Sequence, residues 1–90
     1  MTTKDDIRRW LERGKEENAT HLIVVCDTFS YEDYPVFVSS KENVYEVEKG
    51  YNGKDMQRVM EVYKLSMDWD EQLNQTRSFN YWKWAIIYVM

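Results

Sequence analysis

Six consecutive residues, His21-Leu22-Ile23-Val24-Val25-Cys26, narrow the choice of fold more than any other part of the chain. The run is apolar, rich in β-branched residues and of strand length, and it has no polar alternation. A strand on a half-solvated sheet would alternate apolar with polar residues. A continuous run instead asks for cover on both faces, or at the least for a central position in the sheet.

The flanking sequence supplies companions for that strand. Thr3 followed by Asp6 matches a capping box, and Asp5 and Asp6 suit the positive end of a helix. Ile7, Trp10 and Leu11 then fall at i, i+3 and i+4, so residues 4–17 are predicted to be an amphipathic helix in which Gly14 is a weak point. After the apolar run, residues 27–34 break the pattern, and Pro35 is expected to start a second strand through Val36-Phe37-Val38. Ser39 with Glu42 matches a second capping box. Behind it, Val44, Val47 and Tyr51 predict a short helix closed by Gly50 and the Asn52-Gly53 turn.

Residues 56–65 fit two patterns. Met56, Val59, Met60, Tyr63 and Met67 form a helical stripe. As a strand, Val59, Tyr63 and Leu65 share one face, with Met60 and Val62 on the other. The β-branched content and the preceding Asn-Gly turn favour the strand. Asp68 or Asp70 can cap a short helix reaching Leu73 to about residue 76. From Phe79 onward, alternation around Trp82, Trp84, Ile86 and Tyr88 predicts a final strand. The expected fold is therefore a single α+β domain over residues 1–90, in the order α-β-β-α-β-α-β. It has a small antiparallel or mixed sheet of about four strands and two to three helices, largely on one face.

Composition removes several classes of function. Twelve Lys and Arg against sixteen Asp and Glu leave a net charge of −4, spread over both halves. General nucleic-acid binding needs a basic stripe, and binding to an anionic membrane needs a basic patch. Neither is present. One cysteine forbids an internal disulfide and fits a reducing compartment. Residues 1–6 lack an apolar signal core, and no stretch approaches the roughly 18 apolar residues of a membrane span. The expectation is a cytoplasmic protein.

Catalysis finds little support. His21 is the single histidine, and it borders an apolar strand. Cys26 lies five residues along that strand, so the two side chains point to opposite faces. No glycine-rich phosphate loop or nucleophile elbow occurs. Asp27, Glu32 and Asp33 cluster without the spacing of a calcium loop, and they read as a solvated acidic turn. No cofactor or metal is expected.

Two constellations point to binding. Phe29, Tyr31 and Tyr34 interleave with Glu32 and Asp33, which combines rigid aromatic anchors with charge complementarity for a basic protein. Arg58, Lys64 and Arg77 lie near element boundaries. If the sheet gathers them beside Trp82 or Trp84, they form an anionic-ligand pocket with a stacking wall for a nucleotide-like molecule. The aromatic Trp82–Met90 strand is also a candidate edge for pairing with a second copy.

Residues 20–29 (Thr-His-Leu-Ile-Val-Val-Cys-Asp-Thr-Phe), the stretch Tyr31-Glu32-Asp33-Tyr34-Pro35-Val36 and the segment Met56 to Tyr63 stand together with Gln72-Leu73-Asn74 and Arg77. In these stretches the chain resembles a family of small proteins encoded by tailed bacteriophages, over roughly residues 3–81. The resemblance carries no catalytic motif, and the tail after Tyr81 departs from it. It implies a phage accessory protein in the bacterial host cytoplasm, one that binds and inhibits or sequesters a host or defence component. The competing expectation is a structural or regulatory phage protein acting through homo-oligomerisation.

Overall fold

The apolar run becomes the middle strand of a three-stranded sheet. The computed structural model describes residues 2–53, 56–75 and 78–80. In chain order its elements are α1 (Lys4–Glu16), β1 (His21–Asp27), β2 (Glu32–Val38), α2 (Val44–Tyr51), β3 (Gln57–Lys64) and α3 (Trp69–Leu73). The strands lie in the order β2-β1-β3, and β1 is antiparallel to both neighbours. The fold is thus α+β, and its six elements follow the expected order as far as α3.

β1 feeds two cores. Leu22 and Val24 pack with Ile7 and Leu11 of α1, Tyr63 of β3 and Leu73 of α3. Ile23 and Val25 pack on the opposite face with Val38, Val44, Val59 and Val62. All four β1 residues are at most 1% exposed, and burying each such side chain contributes roughly 1.5–3 kcal/mol. Helices therefore cover both faces, α1 and α3 on one and α2 on the other. Two of the three helices thus share one face, and α2 alone covers the other. With only one face covered, Ile23 and Val25 would sit in water.

Local chemistry places the helices. Thr3 and Asp6 form the capping box at the start of α1, each backbone N–H bonded to the other's side chain. At the far end Asn18 takes a left-handed φ of 59°. The Asn18 N–H donates to the Lys15 carbonyl (3.2 Å) and the Ala19 N–H to the Gly14 carbonyl (2.8 Å), which is a complete Schellman stop. Gly14 is a spacer. A Cβ there would come within 3.1 Å of Leu65 Cδ2 and Phe37 Cδ1, so its absence lets α1 settle closely on the sheet.

α2 starts later than the Ser39–Glu42 pattern implies. The Ser39 N–H does donate to Glu42 (3.0 Å), but the Ser39 hydroxyl accepts from Lys41 N–H, closing a turn. The helix cap is Asn43, whose side chain accepts from Tyr45 and Glu46 N–H. Asp68 caps α3 by accepting from Glu71 N–H.

β3 is a strand, as expected, but its faces are not those that simple alternation gives. The register slips between Val24, opposite Glu61, and Val25, opposite Val59. Met60 is the extra residue of a β-bulge. Past it, Val59 joins Val62 in one core, while Met60 and Tyr63 join the other. The bulge reconciles an i, i+3 apolar spacing with a period of two.

The expected fourth strand lies largely outside the described residues. What is described is an isolated parallel bridge between Val62 and Phe79. Val62 N–H donates to the Ser78 carbonyl (2.7 Å), and Asn80 N–H donates to the Val62 carbonyl (2.9 Å). Residues 81–90, including Trp82 and Trp84, are not among those described.

This bridge is one of several contacts that close the outer edge of β3, where Gly53 N–H also donates to the Gln57 carbonyl (2.8 Å). Near the bulge, Val59 N–H donates to Asn52 Oδ1 (3.3 Å). At the other end the fully buried Gln72 side chain acts as a strand surrogate. Its Oε1 accepts from Lys64 N–H (2.8 Å), and its Nε2 donates to the Lys64 carbonyl (2.9 Å). Nε2 also reaches the Asp68 carbonyl (3.2 Å) at the start of α3.

Gln72→Leu keeps the volume but orphans both Lys64 backbone groups. It should destabilise the protein by about 2–4 kcal/mol in urea unfolding. A loss under about 0.5 kcal/mol would mean that the pin contributes nothing net to stability.

Candidate functional site

The β1–β2 connection is a four-residue turn, Thr28 to Tyr31, because β2 already begins at Glu32. The sequence suggested a longer loop with the strand starting at Pro35. Backbone direction explains the difference. Leu65 N–H donates to the Thr20 carbonyl (3.0 Å), so even-numbered β1 residues turn their backbone groups toward β3. Val24 lies opposite Pro35, and the missing N–H of Pro35 faces away from β1. The ladder passes through the proline undisturbed, which draws Glu32, Asp33 and Tyr34 into the strand.

The turn is fastened by its own acid. Asp27 Oδ1 accepts from Phe29 N–H (2.8 Å) and Ser30 N–H (3.4 Å), and the Asp27 carbonyl accepts from Tyr31 N–H (2.6 Å). Thr28 donates both its N–H and its hydroxyl to the Met56 carbonyl, each at 2.8 Å. This ties the turn to the start of β3. With the backbone held this way, the large side chains point outward. Phe29 is 77% exposed, Tyr31 81% and Met56 56%. Tyr31 and Met56 both hold left-handed φ values, 60° and 61°, a conformation that costs a bulky side chain roughly 1–2 kcal/mol.

Tyr34 does not belong to this exposed set. It is half-buried against the α2-side core, and its hydroxyl accepts from Gln57 Nε2. Burial, followed by the neighbouring Tyr51 and Asp27, raises its phenol pKa. Glu32 is exposed and Asp33 half-exposed. Asp33 shares a row with Cys26 and Arg58.

On the α1 side of that row lies an open cleft of ≈ 670 Å³, walled by Asp6 and Trp10 of α1 and by Cys26, Tyr31, Glu32 and Asp33. The Cys26 thiol donates to the Asp27 carbonyl (3.6 Å); burial raises its pKa most, and the neighbouring Asp33 and Asp27 carboxylates add to the rise. Arg58 opposes it. These neighbours favour the protonated thiol, so at neutral pH Cys26 is an uncharged part of the wall. Trp10 and Asp6, read in the sequence as a core stripe and a helix cap, reach this cleft only through the packing of α1. No local pattern announces that contact.

The other constellation does not assemble among the described residues. Arg58 lies opposite Cys26 and Lys64 opposite His21, at the two ends of the β1–β3 ladder. Alternation along β1 also puts those two rows on different faces. Arg77, Trp82 and Trp84 are outside the described residues. His21 is buried, with Nδ1 3.0 Å from the Thr20 hydroxyl, and β1 separates it from Cys26. Among the described residues, no three His, Cys, Asp or Glu side chains converge as metal ligands, and no helix is long and apolar enough to cross a membrane.

Replacing Tyr31 with Gly should stabilise the protein by about 0.5–1 kcal/mol, because glycine adopts the left-handed turn without strain. A destabilised variant in thermal or urea unfolding would show instead that the ring supports the fold. For Cys26, the raised pKa predicts alkylation that accelerates only above the ordinary thiol range near about 8.5. The matching stability contribution is full below that range and lost as pH rises through the folded value. An alkylation midpoint at or below the ordinary value would contradict this environment.

Comparison with known proteins finds no family, no curated protein and no solved structure that matches this chain.

Proposed function

We propose that this chain is a non-enzymatic binding protein that engages a basic partner protein through the hairpin end of its sheet. The observation that carries the reading is the exposure of Phe29, Tyr31 and Met56 together, beside Glu32 and Asp33. Aromatic anchors supply most of the energy of a protein interface, and bordering charges steer and select the partner. The net charge of −4 favours a basic partner and disfavours phosphate-rich ones. The resemblance to phage accessory proteins gives this binding a setting. The partner is a host or defence protein in the bacterial cytoplasm, inhibited or sequestered by having its basic surface covered.

Affinity capture from a bacterial lysate, read by native mass spectrometry, tests the proposal. The expected result is one basic protein recovered in a fixed ratio, lost at about 0.5 M salt, where charges are screened within roughly 4 Å. The Tyr31→Ala, Glu32→Ala double variant should lower recovery by at least about tenfold, a loss of about 1.4 kcal/mol. Unchanged recovery by that variant would refute the hairpin as the contact. A bound adduct of nucleotide size would favour sequestration of a small molecule instead, and a bare oligomer would favour homo-oligomerisation.

A further inference from the structure

We propose that the cleft between α1 and the hairpin seats one arginine side chain of the basic partner, an inference that rests on the binding reading above. Its lining is the basis. Two aromatic residues, Trp10 and Tyr31, stand with three carboxylates, Asp6, Glu32 and Asp33, around the Cys26 thiol, and among the described residues no Lys or Arg lines the cleft. The carboxylates are not equally available. Asp6 is held by Thr3 N–H and by Arg9, and Asp33 is half-buried in the row it shares with Cys26 and Arg58. Glu32 has no hydrogen bond or ion pair among the described residues, which leaves its carboxylate as the counter-charge for an incoming cation.

The chemistry of the walls selects among cations. An aromatic face attracts a cation, and a planar guanidinium can stack on the ring while its N–H fork meets a carboxylate. A lysine ammonium is a compact, strongly hydrated charge, so it would gain the ion pair but little of the stacking. Cys26 adds shape without adding charge. Its position in the wall also turns the chain's single cysteine into a reporter of whether the cleft is filled.

The test uses the full ¹⁵N-labelled chain and two probes, acetyl-Gly-Arg-Gly-amide and acetyl-Gly-Lys-Gly-amide. The arginine peptide should shift the Trp10 indole N–H and the Cys26 amide saturably, and it should slow alkylation of Cys26. It should bind at least about threefold more tightly than the lysine peptide, and Glu32→Gln or Tyr31→Ala should each weaken it by at least about threefold. Both variants change exposed side chains, so the fold is retained. Equal binding of the two peptides overturns the arginine assignment. Shifts confined to Phe29 and Met56, or no shift at all, overturn the cleft. If the lysate capture still depends on Tyr31 and Glu32, the cleft alone has failed. If that capture fails as well, the binding reading falls with it.

Discussion

Everything in this fold follows from a strand that cannot touch water on either side. Leu22, Ile23, Val24 and Val25 alternate between two cores, and each core needs its own cover. A chain of 90 residues meets that demand with one long amphipathic helix and one very short one on the first face, and an eight-residue helix on the second. The economy has a price in precision. α1 must lie close enough to share a core with a narrow sheet, which is why a glycine occupies its inner face at position 14 despite the cost to the helix.

Among the described residues the three-stranded sheet has two outer edges, and they are treated differently. The outer side of β3 is occupied at Val59, Val62 and Lys64 by an asparagine side chain, a returning backbone segment and the Gln72 amide. The last of these links the strand to the helix that follows it, so the edge and the crossover are fixed by the same residue. β2 is protected more lightly. Pro35 turns its donorless nitrogen away from β1, and the strand begins with two acids, Glu32 and Asp33. Both devices discourage indiscriminate strand pairing. Because the proline does not interrupt the ladder, β2 runs on to the hairpin and carries its acids to the end of the molecule where the aromatics are exposed.

The elements legible in the sequence are those whose causes are local. The apolar run, the Thr3–Asp6 box and the Asp68 cap each depend on residues a few positions apart, and each forms. What was not legible depends on partners distant in the chain. The bulge at Met60 exists because Val59 and Val62 must both face Ile23 and Val25. Ser39 and Glu42 bond as their spacing suggests, yet Asn43 wins the cap because it stands next to the first buried residue of the helix, Val44. At the candidate site, aromatics beside acids were visible in the sequence, but strand parity turns Tyr34 inward and the Asp27-fastened turn sends Phe29 outward. Trp10 reaches the cleft only because α1 docks where it does.

Parity also explains why a binding surface is better built at the hairpin than at the other end of the sheet. At the His21 end, backbone and side-chain groups are consumed in holding elements together: Thr20 bonds Leu65 and Val38, and Lys64 bonds Gln72. At the hairpin, Asp27 and Thr28 satisfy the turn by themselves. The side chains of Phe29, Tyr31 and Met56 are thereby left largely exposed. Side chains that are mostly exposed are free to be chosen for what they meet outside. Two of them are held in a backbone conformation that a glycine would adopt more readily. Large apolar groups kept exposed at a strained position oppose both solubility and stability, and that opposition is what a contact surface would be expected to leave in a fold this small.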